Sequence, residues 1–273
     1  MTVDNLYING SSFASGWSEG YEDTMTVTPL PSWVTYFNDL TSPNKLYLDA
    51  LVGKGVGTTC RDTIAFCKKY KEKHGSCDDL NVILELTVCR YRHWDPIKSL
   101  SGEDIIPVAY IAWQDVNTTS YYFIKREFND DTLLYTNTIV GEHDLVPEEL
   151  AIWKKELSDW FFGIDHYLAY LEYGKKEVSR MTRYLDKENI KYAIFWCVGR
   201  GPMFTRVMDR GFRKEMKDNK MIPLNIMNGQ TLAFNESNDN GYRGHPDSKG
   251  HMFLAKFLRD WISENKLFER THV

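Results

Sequence analysis

A serine on a tight turn can offer its hydroxyl to a substrate, and a histidine on a nearby loop can take the proton. The chain holds one segment suited to each task. Tyr7-Ile-Asn-Gly-Ser-Ser-Phe-Ala-Ser-Gly16 follows a short apolar run and sets Ser12 among small residues. Gly10 and Gly16 allow sharp turns there. Gly-Ser-Ser also fills many inert turns, so this segment alone does not establish a nucleophile. Near the other end, Gly244-His-Pro-Asp-Ser-Lys-Gly-His251 precedes a helical pattern. Pro246 biases Gly244 and His245 toward extended backbone, which puts the imidazole on a loop. A loop histidine can accept a proton from serine and later return it to a leaving group. His251, at the helix start, reads as a capping or packing residue. With no third ligand in evidence, the two histidines do not make a metal site.

The elements that must position these segments alternate between strand and helix. Residues 6–8, 45–51, 82–88 and 192–198 are short apolar runs flanked by turn residues, as expected of buried parallel strands. Cys60, Ile64 and Cys67 share one helical face in a segment whose basic end, Lys68-Lys69-Tyr70-Lys71, suits the negative pole. Residues 147–186 carry enough Leu, Trp, Phe and Tyr for two helices, with Gly163 or Gly174 as the break. Residues 250–265 repeat Phe253, Leu254, Phe257, Leu258 and Trp261 at helical spacing. This alternation predicts an α/β three-layer sandwich. Residues 103–146 differ. The β-rich stretches 105–113, 120–126 and 133–140 are separated by Asn/Asp/Thr clusters, which predicts hairpins. They form either an insertion rimming the site or extra strands that extend the main sheet.

The chain has 273 residues, 42% apolar and 26% charged, enough to bury a core without a metal or disulfide. A net charge of −5 gives no global electrostatic case for nucleic acid or an anionic membrane as partner. The five cysteines are odd in number, lack a Cys-x-x-Cys pair and have no zinc-type spacing, which predicts reduced thiols. The first ten residues lack a basic segment followed by an apolar one, and nowhere do eighteen apolar residues run together. A cytoplasmic location is expected, or a virus particle assembled there.

The two chemical segments together resemble the first and last sequence blocks of the SGNH (GDSL-type) hydrolases, a superfamily of esterases and deacetylases with a flavodoxin-like parallel sheet. The opening block of that family reads roughly Gly-Asp-Ser-Phe-small-x-Gly. Gly10-Ser11-Ser12-Phe13-Ala14-Ser15-Gly16 matches it except at Ser11, where the family has aspartate. The resemblance implies Ser12 as nucleophile and, through His245-Pro246 followed by Gly250-His251, His245 as base. Asp49-Ala-Leu-Val-Gly-Lys-Gly55 resembles the second block, whose glycine donates an N–H to the oxyanion. Gly53 is the better match and Gly55 the second. The third block usually supplies an asparagine. Leu86-Thr-Val-Cys-Arg-Tyr-Arg92 has none and is closer to a variant of phage-encoded relatives, which implies Thr87 and Arg90 as contacts for substrate or oxyanion. A solvated or salt-bridged role for Arg90 is the alternative.

The family's carboxylate usually lies two or three residues before the histidine, where this chain has Arg243 and Tyr242. Asp239 could reach back through the Asn240-Gly241 turn, or it is a solvated turn residue and a backbone carbonyl orients the imidazole. The resemblance thus implies one SGNH-hydrolase-like domain over residues 1–273, with 103–146 as the β-rich insertion. It implies a serine esterase acting on a small-molecule or carbohydrate ester, such as an O-acetyl group on a cell-surface polymer, with no cofactor. The rival is a relative of the same fold that binds or builds, for example in a virion, without catalysis. The 16 tyrosines and 8 tryptophans suit a carbohydrate surface or a protein interface. A nucleotide-binding flavodoxin-like protein is disfavoured, because no Gly-x-Gly-x-x-Gly or Walker pattern follows the first strand.

Overall fold

A computed structural model describes residues 3–11, 14, 31–51, 54–87, 96–111, 119–162, 166–198, 220 and 246–270. Its main sheet is parallel and consists of β1 (Asn5–Gly10), β2 (Lys45–Ala50), β3 (Leu80–Thr87) and β8 (Lys191–Val198), in the order β2-β1-β3-β8. These strands hold the four apolar runs expected to form them. Asn5 pairs with Lys45 on one side and Leu80 on the other, and Asn81 pairs with Lys191.

Side chains that alternate along β1 and β3 are buried on both faces, which is why these runs are mostly apolar, while β2 is only partly buried on one face. On one face Leu6, Ile8, Ile83, Ala193 and Phe195 pack with helices α1 (Trp33–Thr41) and α5 (Ser248–Glu264). On the other, Tyr7, Val82, Leu84 and Ile194 pack with α2 (Val56–His74) and α4 (His166–Lys187). The result is the expected three-layer sandwich with a flavodoxin-like strand order.

Helix α2 buries Cys60 and Cys67 and half-buries Ile64, with Lys71, Lys73 and His74 in its last turn. It stops at Gly75, whose φ of +84° is open to glycine at little cost. The stretch 147–186 does form two helices, α3 (Pro147–Phe162) and α4. Gly174 is not a break, because α4 runs through it on the strength of Val178, Met181 and Leu185, all fully buried. Gly163 lies outside the described residues.

The hairpins at 103–146 form a second sheet and do not extend the first. Strands β4 (Ile97–Lys98), β5 (Asp104–Ile111), β6 (Thr119–Asn129) and β7 (Leu134–Val140) pair antiparallel in sequence order. Ile97, Ile105 and Phe123 pack with Leu145 and with Trp153 and Leu157 of α3, the Phe123 and Trp153 rings meeting edge to face at 5.3 Å. At the far end, Lys73 of α2 donates to the carbonyls of Asp130 and Asp131 in the β6–β7 turn.

Candidate active site

Strand order reverses between β1 and β3, since the chain steps from β1 to β2 and then returns past β1 to β3. Open α/β sheets place their ligands outside the carboxyl ends of the strands at such a point. Gly10 ends β1 there with Ser11 next to it, and Glu85 stands near the end of β3, one residue past Leu84, the partner of Asn9.

Glu85 is fully buried, a charged group inside an apolar strand. Its Oε1 accepts from the Ser11 N–H at 2.9 Å and from the Ser11 hydroxyl at 2.5 Å, and its Oε2 accepts from the Trp33 indole N–H at 2.7 Å. Burial pushes the carboxyl above its usual range. The Ser11, Trp33 and Ala14 donors pull it back without cancelling that effect. Gly10 is needed beneath it, because a Cβ there would lie 2.8 Å from Ala14 Cβ and 3.0 Å from Glu85 Cβ.

The same bonds continue to the last helix. Ala14 donates its N–H to the Ser11 carbonyl at 3.1 Å, and the Ser32 hydroxyl donates to the Ala14 carbonyl at 2.8 Å. Ser32 also caps α1 by accepting from Val34 N–H. Trp33, the first residue of α1, donates its backbone N–H to His251 Nδ1 at 3.2 Å. An accepting Nδ1 means a neutral ring with its proton on Nε2. His251 is thus buried and packed at the start of α5, the role expected of it, while Asp247 is the cap, accepting from Gly250 N–H.

A second buried polar network lies under the β2–α2 loop. Lys54 Nζ sits 2.7 Å from Asp49 Oδ1 and 2.9 Å from Asp62 Oδ2. Arg126 of β6 grips Asp62 with two bonds of 2.9 Å and lies over the Tyr135 ring. The Tyr7 hydroxyl donates to Asp49 and accepts from Asn9, which also donates to the Thr59 carbonyl and the Thr63 hydroxyl. Burial alone raises the Asp62 carboxyl, but Lys54 and Arg126 outweigh it and hold the group below its usual range. Burial, with the Asp49 carboxylate beside it, keeps Tyr7 protonated. Among the described residues two acids and two bases balance in this cluster, and Arg126 ties the antiparallel sheet to α2.

Among the residues singled out from the sequence, Ser12, Gly53, Arg90, Asp239 and His245 lie outside the described residues. Gly55 is the N-cap of α2, its carbonyl accepting from Thr59 N–H. Thr87 closes β3, where the pairing with β8 shifts register between Leu86 and Thr87. Cys60, Cys67 and Cys77 are unbridged and buried, and burial raises all three thiols, Cys77 to about 11. None of these three is a thiolate nucleophile at neutral pH.

Sequence reasoning missed Glu85, Trp33 and the Lys54 cluster. A signal for Glu85 existed, since Val82-Ile-Leu-Glu-Leu86 places one acid within a strand buried on both faces. Among the described residues, no helix is long and apolar enough to cross a membrane. No family model and no curated protein matches the chain. Among solved structures, the chain is similar to a protein from Parabacteroides merdae described as a "putative GDSL-like lipase", with a TM-score of 0.40 and 12% identity over 97% of each chain.

Proposed function

We propose that the chain is an SGNH-type serine hydrolase that cleaves an ester, with an O-acetyl group on a carbohydrate or cell-surface polymer as its substrate class. The observation that supports this reading is the bonded path Ser11–Glu85–Trp33–His251. It ties the residue before Ser12 to the helix that begins three residues after His245, at the sheet edge where α/β folds bind ligands.

In this reading Ser12 Oγ attacks the acyl carbon while His245 takes its proton. The tetrahedral oxyanion is held by N–H groups of Ser12 and of Gly53, with Gly55 in second place, and Thr87 and Arg90 border it. Collapse breaks the bond to the alcohol, which leaves with the proton from His245. Water, activated by the same histidine, then releases the acid and restores Ser12. Losing one oxyanion donor typically costs about 3–4 kcal/mol of barrier, so the glycine N–H contributes to turnover, though by less than the nucleophile.

The test is labelling by a fluorophosphonate, with mass spectrometry of the modified peptide, alongside hydrolysis of p-nitrophenyl acetate. Label on Ser12, and turnover reduced to background in both Ser12→Ala and His245→Ala, is the expected result. The two losses should not add, because nucleophile and base act as one unit. Equal slow turnover in all three proteins and no label on Ser12 would leave a fold relative that binds without cleaving. The missing third-block asparagine and the displaced triad carboxylate favour that rival.

A further inference from the structure

Ser11 and Trp33 stand 74 and 52 residues from Glu85 in sequence, and both direct donors at its carboxyl group. Such convergence is costly to assemble. A buried carboxylate must be desolvated, and it persists only where several donors replace the lost water. Here the donors come from Ser11, just past β1, and from Trp33, the first residue of α1. Trp33 is itself fixed, with its ring edge-on to Phe195 at 5.3 Å and to Phe37 at 6.3 Å, and its backbone N–H capped by His251. Glu85 therefore has a rigid mount on β3 and a rigid partner in α1, and the Ser11–Ala14 turn is held between them.

We propose that Glu85 is a positioning residue. It fixes the turn that carries Ser12 and, through Trp33 and His251, sets that turn against helix α5 and the segment leading into it. This inference rests on the hydrolase reading for its catalytic consequence, but the anchoring itself does not. The resemblance places an aspartate at position 11, within the turn. In this chain Ser11 is a donor, and the carboxylate reaches it from the neighbouring strand.

The experiment compares wild type with Glu85→Gln, Trp33→Phe and, as a control for general destabilisation, Val178→Ala on the far face of the sheet. Glu85→Gln keeps the shape but turns an amide NH2 toward donors. Trp33→Phe keeps the ring packing and removes one donor. Two readouts are taken: kcat and KM for p-nitrophenyl acetate, and amide hydrogen exchange over the peptides spanning 9–14 and 248–256. In Glu85→Gln, kcat should fall about 100-fold with KM nearly unchanged, the size expected of a misplaced reacting group. Exchange at 9–14 should quicken about tenfold, as for the loss of one or two hydrogen bonds, while the core of α2 stays protected. Trp33→Phe should move both readouts the same way by less, and it decides the matter if Glu85→Gln fails to fold. Val178→Ala should lower the unfolding midpoint without changing kcat or exchange at 9–14.

Wild-type kcat and wild-type exchange at 9–14 in a folded Glu85→Gln would overturn the proposal. So would a loss of kcat no greater than that in Val178→Ala at matched stability. If the wild type neither turns over ester nor labels at Ser12, the hydrolase reading fails, and exchange at 9–14 still decides whether Glu85 anchors the turn.

Discussion

The indole Nε1 of Trp33 lies 2.7 Å from Oε2 of Glu85, a contact that joins helix α1 to the middle of the parallel sheet. It gives the carboxyl group its one donor from outside the Ser11–Ala14 turn among the bonds resolved there. Donors alone would lower the group's proton affinity, yet burial wins and raises it. Asp62 shows the opposite balance. It is buried as well, but Lys54 and Arg126 carry full charges, and charge outweighs desolvation.

The two carboxyl groups should therefore tilt the pH dependence of stability in opposite directions. Glu85 binds its proton more tightly when folded, so its contribution is greatest at low pH and is lost as pH rises from 4.5 through its raised folded value. Asp62 holds its proton less tightly when folded, so its contribution is present above 3.8 and is lost as pH falls through the lowered folded value. Urea unfolding across this range should show Glu85→Gln flattening the decline above pH 4.5, and Asp62→Asn flattening the acid limb below 3.8. A Glu85→Gln curve parallel to wild type above pH 4.5 would mean that the donors, not burial, govern the group.

Lys54 is the second test of buried charge. Its side chain is 1% exposed and faces two carboxylates. Lys54→Met removes the shared cation and leaves Asp49 uncompensated beside Tyr7, so the loss should be about 3–5 kcal/mol, as when a buried ion pair is broken on one side. Adding Asp49→Asn to that variant should recover part of the loss, because an amide needs no counter-charge. Both values follow from chemical unfolding, and a loss below about 1 kcal/mol would place the cluster in the class of surface pairs.

Much of the architecture is legible in the residues. Strands buried on both faces are mostly apolar, so Tyr-Ala-Ile-Phe-Trp-Cys-Val at 192–198 reads as one, and the Asn/Asp/Thr separators mark the hairpins. Helix α1 is less legible because only nine residues carry it and two of its anchors, Ser32 to Ala14 and Trp33 to His251, are tertiary. Gly174 misleads because glycine costs a helix only about 1 kcal/mol, which the buried side chains around it exceed. The site is legible as residue types and not as a constellation. Glu85 announces a buried charge, but its donors stand 52 and 74 residues away, and nothing local says which they are. Arg126 is likewise 64 residues from Asp62, on a sheet whose placement no periodicity encodes.

Gly10 tests the packing of the turn against Glu85. A methyl group there would lie under 3.0 Å from Ala14 Cβ, with the Glu85 side chain at 3.0–3.2 Å on the other side. Gly10→Ala should therefore destabilise the fold by roughly 1–3 kcal/mol, the usual range for overpacking. The combination Gly10→Ala with Ala14→Gly should cost less than the two single losses added together, since removing Ala14 Cβ removes the closest contact. Strict additivity in that double-mutant cycle would show that the two residues do not press on one another.

The last test concerns the proton on His245. To accept from Ser12, a neutral imidazole must keep its other nitrogen protonated, and some acceptor has to hold that proton in place. A carboxylate does this and also stabilises the imidazolium that forms, and changing such an aspartate to asparagine costs about 10⁴ in kcat through the wrong tautomer. A backbone carbonyl orients the ring without a charge and gives a slower dyad. In the proposed reading, the two positions where SGNH hydrolases place their acid correspond to Tyr242 and Arg243, and the Asn240-Gly241 sequence, which favours a turn, makes Asp239 the acid to test. If Asp239 completes the triad, Asp239→Asn should lose about 10⁴ in kcat at an unchanged unfolding midpoint. Turnover within twofold of wild type in a folded Asp239→Asn would assign the acceptor to the backbone and remove Asp239 from the mechanism.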